Sequence, residues 1–162
     1  MSLSKKPLFN PRNKPSHGVL WQDEAPPIVF LTICTQHRQP WLATDLTHRL
    51  LVDVWRMADR WCVGRYVLMP DHLHLFTAPR SSDSTLESWI TFWKSQFTKD
   101  FKSETGTVPG KWQAEHWDSR LRSWQSYAEK WEYVRNNPVR KGLVVRSEDW
   151  PYQGEVNRLD WD

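Results

Sequence analysis

The chain has 162 residues, 39% of them hydrophobic, with a mean hydropathy of −0.71. That length suits one domain with a single core, and no stretch approaches the ~20 apolar residues of a membrane span. A net charge of +3 and a pI near 9.0 lean towards anionic partners. Cys34 and Cys62 stand far apart without metal-site spacing. Residues 1–6 lack the apolar stretch of a signal peptide; buried free thiols and a cytoplasmic location are expected. The chain also holds 12 tryptophans, more than a core of this size needs. Most are read as structural, because Trp buries well. Trp on a basic surface can, however, stack unpaired bases.

Residues 1–27 mix Lys5, Lys6, Arg12 and Lys14 with five prolines, and read as an extended arm. Residues 28–35, all apolar or β-branched except Cys34, predict a central strand. Over residues 45–61, Leu46, Leu50, Val54, Met57 and Trp61 form one helical face, with Thr44 as N-cap. Residues 62–79 follow as strand, turn and strand, with Pro70 marking a bend. Ser84 and Glu87 have capping-box spacing ahead of a helix that buries Leu86, Ile90, Trp93, Phe97 and Phe101. After a Gly/Pro loop, residues 111–122 are predicted extended, anchored by Trp112, Trp117 and Leu121; His116 is left unassigned. Residues 123–137 predict a helix with Trp124, Tyr127 or Ala128, Trp131 and Val134 on its core face. Pro138 ends it. Residues 142–145 suggest a last short strand, and residues 153–162 a tail. The order predicts an α+β fold, an antiparallel sheet with helices packed mainly on one face, as one domain over residues 28–152.

Two stretches carry chemistry. In residues 66–76, read as strand, Leu73 and Leu75 point one way and His72 and His74 the other, roughly 6.5 Å apart at Cα. Paired imidazoles can bind a divalent metal, hydrogen-bond a phosphate or serve as acid and base; the plain alternative is two histidines on a sheet face. Sixty residues on, Tyr133 leaves the core face of the helix and Asn137, one turn later, shares its side. Between Arg120 and Lys141 there are six basic residues (Arg120, Arg122, Lys130, Arg135, Arg140, Lys141) against two acidic ones (Glu129, Glu132), so positive charge concentrates around Tyr133.

The sequence Met-Pro-Asp-His-Leu-His-Leu at 69–75, followed by Tyr-Val-Arg-Asn-Asn-Pro-Val-Arg at 133–140, resembles the two signatures of the small bacterial tyrosine transposases, which are HUH single-stranded DNA nucleases. The Tyr-x-x-x-Asn-Pro-Val-Arg form is similar in particular to the REP-associated branch, as are Trp112-Gln113, Trp117-Asp118 and Leu121-Arg122. One departure is Asp71, where an amide is common, a change expected to add metal affinity.

The resemblance implies a ferredoxin-like HUH core. It implies His72, His74 and Asn137 as ligands of Mg²⁺ or Mn²⁺, and Tyr133 as the nucleophile that leaves a 5′-phosphotyrosine. Expected partners are single-stranded DNA hairpins, with no membrane, for a monomer or homodimer. Arg120, Arg122, Arg135, Arg140 and Lys141 are the candidate DNA contacts. Tyr127 is the rival nucleophile, though it fits the apolar face. Two other classes stay open: a catalytically silent hairpin-binding protein, and a phosphodiesterase that uses water.

Overall fold

The computed structural model describes residues 27–160; the expected N-terminal arm, apart from Pro27, lies outside them. Five strands form one sheet in the order β4-β1-β3-β2-β5, every neighbouring pair antiparallel. They are β1 (Ile28–Thr35), β2 (Trp61–Leu68), β3 (His72–Pro79), β4 (Trp112–Leu121) and β5 (Gln153–Glu155). The helices are α1 (Asp45–Met57), α2 (Leu86–Thr105), α3 (Trp124–Arg135) and the single turn α4 (Asn137–Arg140). Among the described residues no helix is long and apolar enough to cross a membrane.

Side-chain alternation divides the sheet into two faces. Val29, Leu31, Ile33, Leu73 and Leu75 meet α1 and α2 in the larger core, with Leu51, Val54, Trp55, Trp89, Trp93 and Phe97. The other face carries Ile28, Phe30, Phe76 and Ala78 and is partly covered by α3 through Tyr127 and Trp131. The two long helices thus share one face, and α3 crosses the other.

Most expected elements are present, with shifted edges. α1 starts under its Thr44 cap, whose hydroxyl accepts from the Thr47 amide. It ends at Met57, which is 50% exposed, and its buried face runs instead through Leu50, Leu51, Val54 and Trp55. Trp61 already belongs to β2. α2 is capped by Thr85 rather than Ser84, through a bond from the Ser88 amide. Trp124 is exposed at the start of α3.

Residues 62–79 form the expected strand, turn and strand, a hairpin, so residues 66–76 are not one continuous strand. β2 stops at Leu68, β3 begins at His72, and the Met69 amide donates to the His72 carbonyl at 2.8 Å. Pro70, which cannot donate to a ladder, sits in the connection. Its carbonyl accepts from the Leu42 amide, and the Asp71 carbonyl accepts from both the amide and hydroxyl of Thr35.

Residues 142–145 form a turn, not a strand. Gly142 adopts φ 70°, and the Gly142 and Leu143 amides bond back to the Val139 and Pro138 carbonyls, closing α4. Pro138 does not terminate α3. It occupies the first turn of α4, where a missing N–H costs nothing. The expected tail belongs to the body. Residues 153–155 pair with Arg65–Val67 as β5, and Leu159 is buried over Gly64, where a Cβ would lie 2.7 Å from it.

The tryptophans are mainly core, as expected: Trp55, Trp61, Trp89 and Trp93 are among the largest fully buried side chains. Trp93 makes edge contacts with Trp55, Trp89 and Trp112 at 5.6–6.1 Å, while its indole N–H is buried with no hydrogen-bond partner. Trp93→Ala should therefore lower stability by about 3–5 kcal/mol. Trp93→Phe, which keeps most of the volume and removes that orphan donor, should cost much less. Urea unfolding followed by circular dichroism measures both.

Candidate active site

The middle strand of the sheet is β3, and its residues 72, 74 and 76 face α3. His72 and His74 are not freely exposed there. His72 retains 7% of its accessible surface, and the two rings lie 4.8 Å apart at 80°. Phe30 of β1 stacks on His74 at 5.3 Å.

Each imidazole is held through its Nδ1 atom. His72 Nδ1 lies 2.7 Å from Asp71 Oδ1, and His74 Nδ1 lies 2.9 Å from the Thr32 hydroxyl. A carboxylate only accepts, so His72 carries its proton on Nδ1 and leaves the Nε2 lone pair free. Asp71 is shared. Arg38 Nε donates to Asp71 Oδ2 at 2.9 Å, and the same guanidinium reaches Cys34 Sγ at 2.9 Å and lies 3.5 Å from His72 Nδ1. Burial pushes the Asp71 carboxyl up, but the bonds from His72 and Arg38 outweigh it and leave it below its ordinary value. Arg38 and His37 both take positive φ, 55° and 53°. Backbone strain of that kind persists only where the surroundings enforce it. Here it aims Arg38 at the Asp71 carboxylate.

The second motif arrives from α3. Val134 packs with Val67, Met69 and Trp150, which seats the end of α3 beside the hairpin tip. The chain then bends at Asn136, and Asn137 opens α4 instead of extending α3. Its Nδ2 lies 3.3 Å from His72 Nε2. Arg140 joins the amide to the tyrosine: one nitrogen lies 3.4 Å from Asn137 Oδ1, and the guanidinium carbon is 3.9 Å above the Tyr133 ring. Tyr133 itself is 64% exposed. His72, Asn137, Arg140 and Tyr133 are therefore one run of contacts.

Burial lowers the pKa of both imidazoles. Nearby cations add to it: Arg38 and Lys141 act on His72, and Lys130, Arg140 and Arg38 on His74, while Asp71 works the other way on His72. His74 falls to about 3. Four cations, Arg38, Lys130, Arg140 and Lys141, thus disfavour charge on the two imidazoles. Of these, Arg38 and Lys130 were absent from the sequence-derived candidates. Lys130 lies 5.1 Å over the Phe30 ring. It could be counted in the basic stretch but not aimed.

The remaining candidates fall elsewhere. Arg135 bonds Glu132 and Ser147 beside the site. Arg122 is exposed between β4 and α3. Arg120 is in register with Val29, hence on the α1/α2 side of the sheet. Tyr127 is buried against Phe76 at 4.6 Å, and burial drives its hydroxyl up to about 12, which suits a core residue. Tyr66 bonds His48, Tyr152 bonds Asp45, and His116 pairs with Asp118. Both cysteines are free, but only Cys34 is buried as expected; Cys62 is half-buried. Among the described residues no three His, Cys, Asp or Glu side chains could together hold a metal, so a three-residue set here has to draw on a donor of another type.

No family model matches the chain. A Haemophilus influenzae protein named for the REP-associated tyrosine transposases is 26% identical over 157 residues, covering 83% of this chain and 86% of that protein. The Escherichia coli K12 REP-associated tyrosine transposase is 27% identical over 128 residues, covering 76% and 73%. Over most of its length the chain is similar to proteins named REP-associated tyrosine transposases. The fold agrees. A solved REP-associated tyrosine transposase bound to a REP hairpin superposes with a TM-score of 0.63 at 22% identity, covering 83% of this chain and 79% of that one. A solved structure of a Deinococcus radiodurans R1 protein described as a transposase gives 0.50 at 15% identity over 72% of this chain and 95% of that one.

The His74 shift has a measurable consequence. The unfolded chain takes up this proton near pH 6.5, the folded chain only near about 3. The stability contributed by neutral His74 is complete above about pH 6.5 and is lost as pH falls towards about 3. Urea midpoints measured from about pH 7.5 down to about pH 4 should fall, and His74→Gln should flatten part of the decline.

Proposed function

We propose that this chain is a transposase-type enzyme that cuts and rejoins single-stranded DNA at the foot of a hairpin, through a covalent 5′-phosphotyrosine on Tyr133. The reading rests on one observation above all: Asn137 of the second motif stands 3.3 Å from His72 of the first, with Arg140 bridging to the Tyr133 ring. The curated relatives, which carry the transposase name, and the solved relative bound to a REP hairpin support the substrate class.

The donor set fits a divalent cation in kind. His72 has its Nε2 lone pair free, His74 is neutral and tethered through Nδ1, and the Asn137 amide is adjacent. A half-turn of that amide exchanges Nδ2 for Oδ1 and turns a donor into a ligand. Mg²⁺ or Mn²⁺ on these three residues would polarise the scissile phosphate and offset its charge. Because all three donors are neutral, they would leave that charge undiminished. Asp71, behind His72 and paired with Arg38, would orient the imidazole rather than ligate.

Tyr133 Oη attacks the phosphorus and gives up its proton as the new P–O bond forms. The P–O3′ bond breaks, and the upstream strand leaves as a 3′-hydroxyl, taking a proton. Attack of another 3′-hydroxyl on the phosphotyrosine reverses these steps and rejoins DNA. Arg140 supplies positive charge beside both the attacking ring and the incoming phosphate. Arg38, Lys130 and Lys141 extend that charge over the His pair. An enzyme of this kind would act in the cytoplasm, on the DNA.

The test is incubation of the purified chain with hairpin oligonucleotides carrying single-stranded tails, with Mn²⁺. A protein–DNA adduct should form. Tyr133→Phe should abolish it, and His72→Ala should reduce cleavage by at least about 100-fold. An adduct that survives Tyr133→Phe overturns the nucleophile. Cleavage without an adduct points to the water-using phosphodiesterase. Salt-sensitive binding with no cleavage under any divalent metal points to the silent hairpin-binding protein.

A further inference from the structure

The sheet face that carries the His pair is only partly covered by α3. On its β4 edge, Glu115, Trp117 and Ser119 are all exposed. Trp117 resembles an anchor in the sequence, yet 47% of its surface remains accessible. Among the described residues its indole takes part in no ring contact or hydrogen bond.

Register places this residue. Thr32 of β1 pairs with His74 on one side and with Trp117 on the other. Directly opposed residues point to the same face, and the Thr32 hydroxyl bonded to His74 identifies which face that is. Trp117, Thr32 and His74 thus form a row across three strands. Two strand spacings put Trp117 about 9.6 Å from His74 at Cα.

Charge is divided along that row. Arg38 bonds Asp71 beside His72, Lys130 stands over the Phe30 ring that stacks on His74, and Arg140 reaches Asn137. On β4 the same face presents Trp117 and Ser119, in register with Thr32 and Phe30, while Arg120 belongs to the opposite side. Phosphates therefore belong at the His end and an apolar, planar group at the β4 end. An unpaired nucleotide has that polarity: an anionic backbone on one side and a base on the other.

We propose that Trp117 is a stacking platform for an unpaired DNA base flanking the phosphate held at the His72–His74 site. The proposal deepens the reading of that site as a single-strand cutting centre and rests on it. Stacking asks only for an aromatic face, so the platform holds a base without reading its identity.

The test uses the full chain and two fluorescent probes in EDTA, which prevents cleavage. One is a DNA hairpin with tails of about ten thymidines at both ends. The other is the same hairpin with abasic residues in the tails. The wild-type protein should bind the thymidine-tailed probe more tightly. Trp117→Ala should lose about tenfold on that probe and little on the abasic one, a loss in the range of one stacked base. Trp117→Phe should retain most of the affinity. Matching urea midpoints show that the variants are folded. Equal wild-type affinity for the two probes, no loss in Trp117→Ala, or the same loss on both probes overturns the platform. The adduct assay on wild type runs alongside. No adduct together with a base-dependent loss removes the cutting chemistry and leaves the platform. An adduct without that loss does the reverse.

Discussion

Asn137 and His72 are separated by 64 residues of intervening chain, two helices and two strands, yet the amide and imidazole nitrogens stand 3.3 Å apart. Everything else at this face depends on that approach. From the His side it requires the hairpin tip to stay where it is, and the Leu42 amide together with the Thr35 amide and hydroxyl hold the Pro70 and Asp71 carbonyls. From the Asn side it requires α3 to dock by its last turn, which Val134 does against Val67, Met69 and Trp150. It also requires the bend at Asn136. A straight continuation of α3 would carry residue 137 along the helix surface rather than down to the sheet.

The electrostatics follow from the same packing. Burial alone disfavours a charged imidazole, and Phe30 on His74 together with the cover over His72 provide it. Four cations around the pair then work in the same direction. Positive charge near histidine would destabilise a protonated ring, so the site holds two neutral bases beneath a cationic rim. Such a surface attracts an anion without being occupied by its own protons. The Arg38–Asp71 pair adds orientation at no net charge, and the left-handed backbone at His37 and Arg38 marks where the chain bends to place it.

The two faces of the sheet divide the labour. The side under α1 and α2 is a dense aromatic core in which Trp55, Trp89 and Trp93 pack edge to face. It gives β1 and β3 a rigid backing. The opposite side is deliberately incomplete in its cover, because α3 is short and lies over Phe30, Phe76 and Ala78, leaving the β4 edge in solvent. A catalytic or binding surface built on strands inherits the rigidity of the core behind it.

Alternation and helical periodicity carry a long way in this chain. His-x-His between leucines puts both imidazoles on one face whatever surrounds them, because strand geometry has period two. Tyr133 leaves the face of Trp131 and Val134 because the helix has period 3.6. The α+β order, the Thr44 cap and the free cysteines were legible for similarly local reasons. Local pattern failed where distant chain decides. The turn at Pro70 was legible, but not that Leu42 and Thr35 capture it, because both lie far back in the chain. Residues 142–145 read as a strand because their apolar run is β-like, whereas the Gly142 and Leu143 amides bond back to Val139 and Pro138 and close α4. Residues 153–159 read as a tail because their partners, Gly64 to Val67, lie some ninety positions earlier. The sequence by itself determined which side chains are candidates for the chemistry and which faces they share, since residue type and spacing are local properties. Which of them meet, which cations stand over them and which tryptophan stays in solvent was decided only by the tertiary structure, because register, docking and burial are relations between segments far apart in the chain.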